Sequence, residues 1–216
     1  MGRAGGPLDT GEALARAVSG DGEALGAALE KHRMRLWRMV RLRMDRRLQA
    51  RMDASDVVQE VFLEASRRLE EYLRDRPMPF FLWLRFLTDQ RIAAMHRFHL
   101  GAQARDARRE VVLRRRALLE STSAAVAEQI AASGTSPSQG AARGEIEDRV
   151  RRGLAALEED DREVLALRHF EQLTNAEAAQ ELGIEPAAAS KRYVRALRRL
   201  REVLESMGVT LPEGRR

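Results

Sequence analysis

The chain has 216 residues, of which 44% are hydrophobic and 33% charged, a length that allows one large or two small domains. Lysine and arginine outnumber aspartate and glutamate by 38 to 33, an excess that favours a polyanionic partner such as nucleic acid or an anionic membrane surface. The absence of cysteine excludes disulfides, thiolate zinc sites and cysteine nucleophiles, and no apolar stretch approaches the roughly 20 residues of a membrane-spanning helix, so we expect a cytoplasmic protein.

The composition favours a fold built from helices alone. Aromatic residues make up only 5% of the chain, and the good helix formers Ala, Leu, Arg and Glu dominate it. Runs of β-branched residues are nearly absent. We predict the fold class all-α, with two small helical domains joined by a flexible linker.

The N-terminal part is predicted to contain a short helix and then a longer one. Residues 1–8 are rich in glycine and predicted to be disordered. Asp9 and Glu12 stand at capping-box spacing before the short helix, which a turn at 19–22 ends. Apolar residues at helical spacing then predict one continuous helix over 25–49.

Two further helices follow in the first half of the chain. Asp53 or Ser55 can cap a helix over 55–73 that carries one apolar face. The segment 74–79 contains two prolines and is predicted to be a loop. A helix over 80–100 is apolar all round in its first half, which is typical of a buried helix.

The composition changes after a basic helix that is predicted to end near residue 119. Residues 120–144 are rich in Ser, Ala, Gly and Gln and hold few large apolar side chains, so we predict a flexible linker. A final helical unit is predicted to start near Glu145.

This final unit begins with a predicted helix over 146–157 and contains two capping-box patterns. Asp160 with Glu163 predicts the start of one helix. Thr174 with Glu177 predicts the start of another.

The second capping box opens a predicted helix-turn-helix. A supporting helix over 174–182 would be followed by a turn at Gly183 and by a recognition helix over 186–205 with Pro186 in its first turn. The predicted buried positions are Ala178, Leu182, Ile184, Ala189, Tyr193, Leu197, Leu200 and Leu204. The predicted exposed face carries Ser190, Lys191, Arg192, Val194, Arg195, Arg198 and Arg199.

The residues of that face nearest the start of the helix would reach base edges, and the later arginines would contact phosphates. A surface helix with solvated arginines is the alternative interpretation. Because the cap, the turn and the buried stripe coincide with the charge, the pattern favours DNA binding.

Three motifs resemble those of extracytoplasmic-function (ECF) sigma factors, in the sigma-70 family. Residues 157–204, from LEEDDREVLALR to VRALRRLREVL, resemble region 4 of that family. Residues 56–62, DVVQEVF, resemble the D-x-V-Q-E-x-F pattern of region 2.2. Residues 79–99, PFFLWLRFLTDQRIAAMHRFH, resemble regions 2.3 and 2.4, with the F-x-x-W-L pattern of the family at 80–84. The motifs stand in the order that the family has.

The resemblance implies a sigma factor that binds core RNA polymerase and directs promoter-specific transcription initiation. Residues 9–119 would be region 2, which docks on polymerase and recognises and melts the −10 element; residues 120–144 would be the linker; and residues 145–206 would be region 4, which binds the −35 element. The implied partners are promoter DNA, the largest-subunit coiled coil and the flap of polymerase, and an anti-sigma factor. No membrane, cofactor, metal or catalytic activity is expected.

The resemblance also implies site residues in region 2. The predicted polymerase-docking surface is Asp56, Gln59, Glu60 and Glu64, while Val58, Val61, Phe62 and Ala65 would face the core. From spacing alone, these polar residues would be a solvated helix face. The predicted −10 contacts are Arg74, Arg76, Arg85, Asp89, Gln90, Arg91, His96 and Arg97, with Phe98 as a stacking surface. Trp83 is expected in the core rather than on the DNA surface.

Two further features concern reach and charge. The predicted flexible linker over 120–144 has an r.m.s. reach of roughly 25–30 Å, so promoter elements about two turns (~70 Å) apart require the linker to be largely extended. The arginine-rich stretch 33–51 allows contact with DNA or polymerase, or a solubilising face, and we favour the latter.

Three other classes of protein compete with the sigma factor. A conventional DNA-binding regulator would share the helix-turn-helix but gives no reason for the motifs at 56–62 and 80–84. An enzyme is disfavoured because the sequence contains no GxxxxGK[ST], GxGxxG, HExxH or GxSxG pattern. A protein-interaction adaptor does not account for the basic recognition helix.

Overall fold

The computed structural model describes residues 10–100, 123, 127 and 140–209, and every regular element in that part of the chain is a helix, as predicted. The N-terminal module (residues 10–100) contains α1 Thr10–Val18, α2 Gly22–Glu30, α3 Arg33–Arg43, α4 Arg46–Gln49, α5 Ala54–Arg67, α6 Leu69–Asp75 and α7 Phe80–Leu100. The C-terminal module (residues 140–209) contains α8 Gly140–Ala155, α9 Glu159–Leu165, a π-helical turn Ala166–Phe170, α10 Asn175–Leu182 and α11 Pro186–Ser206.

Several predictions lie outside the described residues. Asp9, the cap predicted for α1, is one of them, and so are the basic helix predicted before residue 119 and most of the predicted linker 120–144. Helix α8 begins at Gly140 rather than near Glu145, so the last five residues assigned to that linker are helical.

The single helix predicted over 25–49 is wrong, because the structure divides this segment into α2, α3 and α4. Helix α2 ends at Glu30, and the chain turns before α3. Met44 adopts an extended conformation (φ −79°, ψ 129°) that ends α3, and its side chain is buried. The Gln49 amide donates hydrogen bonds to the carbonyls of Arg41 (2.9 Å) and Met44 (2.7 Å), which satisfies backbone groups that the break leaves without helical partners.

Helix α5 begins as the sequence predicts. The Asp53 side chain accepts a hydrogen bond from the Ser55 amide (2.7 Å), which identifies Asp53 as the cap. The helix does not continue to residue 73 as predicted, because Arg68 leaves helical geometry (φ −102°, ψ 8°) and α6 starts after it.

The core of the N-terminal module forms where α3, α5 and α7 pack together. Trp83 is buried and stacks on Tyr72, with ring centroids 4.4 Å apart, which confirms that it belongs to the core. The Tyr72 hydroxyl donates a hydrogen bond to the Met78 carbonyl (3.0 Å), so this residue also holds the loop between α6 and α7.

The capping box predicted at Thr174 and Glu177 is confirmed. The Thr174 hydroxyl accepts from the Glu177 amide (3.2 Å), and the Glu177 carboxylate accepts from the Thr174 amide (2.8 Å). Gly183 closes α10 in the left-handed conformation (φ 64°), where a residue with a Cβ would be strained. Pro186 occupies the first turn of α11 as predicted.

Two predictions for the C-terminal module are wrong. Helix α9 starts at Glu159, and its cap position makes no side-chain hydrogen bond, so Asp160 and Glu163 do not form a capping box. On α11 the buried stripe passes through Ala196, whereas Leu197 is exposed, because the inward face follows alternating spacings of three and four residues.

The π-helical turn extends α9 and ends in a tight reversal. The Glu171 amide donates to the Ala166 carbonyl (2.9 Å), one residue further back than in an α-helix, and Gln172 then takes a positive φ of 59°. As a result the Glu171 side chain points inward and is 1% exposed.

The burial of His32 makes the stability of the fold depend on pH. His32 packs 5.4 Å from Phe81 and 5.9 Å from Phe80 between ring centroids, and burial, together with Arg35 and Lys31, lowers its pKa to about 4. Between the ordinary histidine pKa of about 6.5 and this value, the unfolded chain binds a proton that the folded chain does not.

We therefore expect the free energy of unfolding to decrease by about 1–2 kcal/mol as the pH is lowered from about 6.5 to about 4, because protonation of His32 favours the unfolded chain. The partial exposure of His32 limits the size of this effect. Replacing His32 by Phe should flatten the profile by that amount, measured by urea denaturation at several pH values. The same substitution at the exposed His169 is the control, and equal profiles for wild type and His32→Phe would contradict the assignment.

Candidate nucleic-acid and polymerase interface

The helix-turn-helix is held together by small buried side chains and by backbone hydrogen bonds at its corner. Ala178 on α10 and Ala189 on α11 are both fully buried, which lets the two helices approach closely. The Asn175 side chain donates to the Pro186 carbonyl (2.8 Å), and the Ile184 amide donates to the Ala179 carbonyl (3.0 Å). These contacts orient the start of α11 relative to the supporting helix.

The outer face of α11 presents the predicted −35 residues to solvent. Ser190, Lys191 and Val194 are exposed in the first half of the helix, where small residues at 187 and 188 leave room for a ligand. The later arginines are exposed or half-buried: Arg192, Arg195, Arg198 and Arg199. The face therefore combines one apolar side chain with a row of cations.

Acidic residues at the start of α9 hold three of these arginines. Asp161 is fully buried and accepts from Arg195 (3.1 Å) and from Arg199 (2.7 Å). Asp160 accepts from Arg192 (3.0 Å). Sequence reasoning assigned Asp160 to a capping box and gave Asp161 no role. The acidic run preceding a basic helix was the only signal in the sequence for this pairing.

The predicted −10 residues lie in different environments. Arg74, Arg76, Gln90 and Arg97 are exposed, and Phe98 is 84% exposed at the end of α7. His96 is half-buried near the Asp45 amide, and burial lowers its pKa. Arg85 is 1% exposed and is bonded to carboxylates rather than presented to solvent, and Asp89 is one of its partners (3.0 Å). In this conformation Arg85 is therefore inaccessible to DNA.

The predicted polymerase-docking residues occupy the outer face of α5. Asp56 and Gln59 are exposed, whereas Glu60 and Glu64 are half-buried beside α7. The Gln59 side chain accepts a hydrogen bond from Arg33 (3.3 Å). The residues predicted to face the core are all buried, as expected: Val58, Val61, Phe62 and Ala65.

A groove of about 450 Å³ joins the docking face to the −10 face. Glu60 pairs with Arg91 (2.5 Å) across it, which brings a predicted docking residue against a predicted DNA contact. Leu63 is 52% exposed at its edge. The complete lining is Glu60, Val61, Leu63, Glu64, Arg67, Leu87, Gln90 and Arg91.

Between the two modules lies a group of charges that sequence reasoning missed. Its central contacts join Arg43 to Glu171 (2.6 Å) and to Glu163 (2.6 Å), and Arg85 to Glu171 (3.2 Å) and to Glu181 (2.7 Å). The partners are separated by as many as 128 residues along the chain, so no local pattern could have revealed them.

None of the helices in the described part of the chain combines the length and hydropathy that a bilayer-spanning segment requires.

Three comparisons relate the chain to known proteins. The family model "Sigma-70, region 4" matches residues 147–200. The ECF RNA polymerase sigma factor SigD of Mycobacterium bovis is 31% identical over 195 residues, which cover 90% of this chain and 84% of that protein, and SigD of Mycobacterium tuberculosis matches equally. The solved structure of CnrH in complex with the cytosolic domain of CnrY shares the fold, with a TM-score of 0.51, 24% identity, and coverage of 90% of this chain and 96% of that chain.

The buried Asp161 carboxylate allows a test of the contact between α9 and α11. Asp161→Asn keeps the shape but removes the charge that two arginines share, so we expect the free energy of unfolding to fall by about 1–3 kcal/mol in urea denaturation. The matched control is Asp148→Asn, because Asp148 is 66% exposed in its pair with Arg151, and that change should stay within about 0.5 kcal/mol. Equal losses in the two variants would refute the structural role of Asp161.

Proposed function

Because the chain belongs to the extracytoplasmic-function sigma factors of the sigma-70 family, we propose which of its surfaces perform each step of promoter recognition. A sigma factor binds core RNA polymerase and directs it to start transcription at promoters, and this is the role of the chain. The observation that best supports the assignment of surfaces is the basic outer face of α11, presented by a rigid, capped helix-turn-helix.

We propose that α11 enters the major groove of the −35 element. Lys191 and Val194 lie in the first half of the helix, where side chains reach base edges, and the Val194 methyl groups suit contact with a thymine methyl. Arg195, Arg198 and Arg199 would contact phosphates. The pairing of two of them with Asp161 favours this role, since guanidiniums already held in place lose less conformational entropy on binding.

The N-terminal module is proposed to capture the −10 element along the second half of α7. Gln90, Arg91 and Arg97 lie on or beside its accessible surface, and the exposed Phe98 would be the stacking surface for an unpaired base. Arg74 and Arg76 at the preceding loop would follow the backbone. Arg85 and Asp89 join this surface only if the C-terminal module moves away from them.

The α5 face is proposed to dock on the coiled coil of the largest polymerase subunit, with the C-terminal module on the flap. Asp56, Gln59, Glu60 and Glu64 form an acidic and polar patch beside the exposed Leu63, which is a composition suited to a protein partner. The protein would act in the cytoplasm without catalytic activity of its own, under the control of an anti-sigma factor; CnrH was solved with such a partner, the cytosolic domain of CnrY.

The assignment of α11 predicts a change in DNA binding. In Lys191→Ala combined with Arg195→Ala, the affinity of the polymerase holoenzyme for promoter DNA should drop roughly tenfold or more, and the slope of log K against log salt should decrease by about one to two. Fluorescence anisotropy over a salt series measures both quantities. Arg149→Ala combined with Arg151→Ala on α8, away from the recognition helix, is the charge-matched control. Unchanged affinity and slope in the double variant would remove α11 from the DNA interface.

The docking surface predicts a separate defect. Asp56→Ala combined with Glu60→Ala should weaken binding to purified core polymerase about tenfold or more while the circular dichroism spectrum stays helical. Glu70→Ala is the control, since Glu70 is an exposed acid on α6 of the same module. If the double variant binds core polymerase as tightly as wild type does, these residues are not part of the docking surface.

Run-off transcription with core polymerase tests the function itself. The chain should convert core enzyme into one that starts at defined sites, and it should co-purify with core polymerase in a one-to-one ratio. A conventional DNA-binding regulator would do neither.

A further inference from the structure

Three arginines of the α11 face are paired with carboxylates at the start of α9. We define the acidic turn by its three carboxylates, Glu158, Asp160 and Asp161. Asp160 accepts a hydrogen bond from Arg192 Nη1 (3.0 Å). Asp161 accepts from Arg195 Nη2 (3.1 Å) and from Arg199 Nη1 (2.7 Å), and a Glu158 oxygen lies 3.7 Å from Arg199 Nη1. The acidic turn therefore lies against the surface proposed to bind DNA.

The acidic turn offsets much of the positive charge of that surface. The proposed face carries five cations: Lys191, Arg192, Arg195, Arg198 and Arg199. The three carboxylates of the acidic turn contact three of these five. A carboxylate and a phosphate make the same kind of contact with a guanidinium, since both offer negatively charged oxygens to its N–H groups. The acidic turn thus occupies donors that the phosphates of DNA would otherwise use.

The two aspartates of the acidic turn differ in how firmly they hold their arginines. The Asp161 side chain is fully buried, so separation from its arginines would leave a buried charge uncompensated. The Asp160 side chain is 51% exposed, and that of Arg192 is 24% exposed. An ion pair at the surface is weak, because water solvates each partner once the two separate. The Arg192–Asp160 pair can therefore exchange its carboxylate for a phosphate, whereas the pairs of Asp161 persist.

We propose that Asp160 is an intramolecular competitor of DNA: it holds Arg192 in the free chain and must release it before Arg192 can bind a phosphate. The proposal rests on the proposed role of α11 and identifies the residue that limits the affinity of this helix for DNA. Every duplex presents phosphates whatever its sequence, so the competition weakens binding to all of them. Stable binding then requires the additional contacts that core polymerase and the N-terminal module supply.

The position of Arg192 on α11 suits a phosphate contact at the edge of the groove. Lys191, Arg195 and Arg198 follow one another at spacings of four and three residues, so they share one face of the helix. Arg192 is one residue beyond Lys191, which turns it by about 100° from that face, to the side where Asp160 lies. A side chain on the flank of a recognition helix meets the phosphates that border the groove rather than base edges. Release of Arg192 should therefore add one phosphate contact.

A limit on affinity benefits a chain that has to find core polymerase before it acts on a promoter. A genome offers about 10⁶ or more competing non-specific sites. Non-specific binding is almost entirely electrostatic, so one phosphate contact fewer lowers the fraction of free chains that such sites retain. Asp160 achieves this without deleting a cation, and Arg192 remains available for the promoter complex.

Binding of the full chain to a duplex of arbitrary sequence tests the competition. The probe is a fluorescein-labelled duplex of random sequence, titrated by fluorescence anisotropy at salt concentrations from about 50 to about 200 mM. Asp160→Asn should bind roughly three- to fivefold more tightly at the lowest salt, and the slope of log K against log salt should become steeper by about one. Asp160→Ser, a residue well tolerated at the start of a helix, should show the same gain. A purely structural role of Asp160 would weaken binding in both variants.

Three further variants assign the effect to the pair with Arg192. Asp148→Asn removes the same charge from an exposed pair with Arg151 on α8 and should leave the affinity within about twofold of wild type. Asp160→Glu keeps the charge and should also stay within about twofold. In an Arg192→Ala background, the gain from Asp160→Asn should fall below about twofold, because no guanidinium is released.

Unchanged or weaker binding of Asp160→Asn and Asp160→Ser, with helical circular dichroism retained, would overturn the proposal. So would an equal gain with and without Arg192, because Asp160 would then act through its own charge alone. Lys191→Ala combined with Arg195→Ala, measured on the same duplex, separates this result from a failure of the proposed function. If that variant binds as tightly as wild type, α11 is not the DNA surface and both proposals fail. If it binds more weakly while Asp160→Asn changes nothing, only the competition by Asp160 fails.

Discussion

The burial of one carboxylate between two guanidiniums governs how the halves of this molecule are arranged. Glu171 is almost completely shielded from water, and such a charge is tolerated only when its partners are held in good geometry. Arg43 and Arg85 provide that geometry from α3 and α7, while the π-helical turn provides it from the C-terminal module. Apolar packing around the contact is less directional than these charged hydrogen bonds, which link specific atoms of the two modules.

The same principle, on a smaller scale, organises the recognition helix. Asp161 is buried at the start of α9 and holds Arg195 and Arg199, whose heads remain partly in solvent. The acids that neutralise these arginines in the free chain also restrict their rotamers, which favours ordered contact with phosphates. Carboxylates thus act at two places in this chain: they bond the two modules to each other, and they order the arginines of the surface proposed to bind DNA.

Local patterns in the sequence predicted those features whose causes lie within a few residues. The Asp53 cap, the capping box of Thr174 with Glu177 and the turn at Gly183 all depend on contacts between near neighbours, and all are confirmed. The box assigned to Asp160 with Glu163 fails because both side chains find distant arginines instead. For the candidate site, the exposed face of α11 followed from helical spacing.

The sequence by itself determined the all-helical class, the burial of Trp83 and the helix-turn-helix, because helix propensity, capping and amphipathic spacing act over one or two turns. Only the tertiary structure decided the break at Met44 and the enclosure of Arg85 by Glu171, which lie 86 residues apart in the chain. The physical reason is that sequence periodicity places a charged residue on the outer face of a helix, where solvation is expected. It does not indicate which distant carboxylate will pair with which guanidinium.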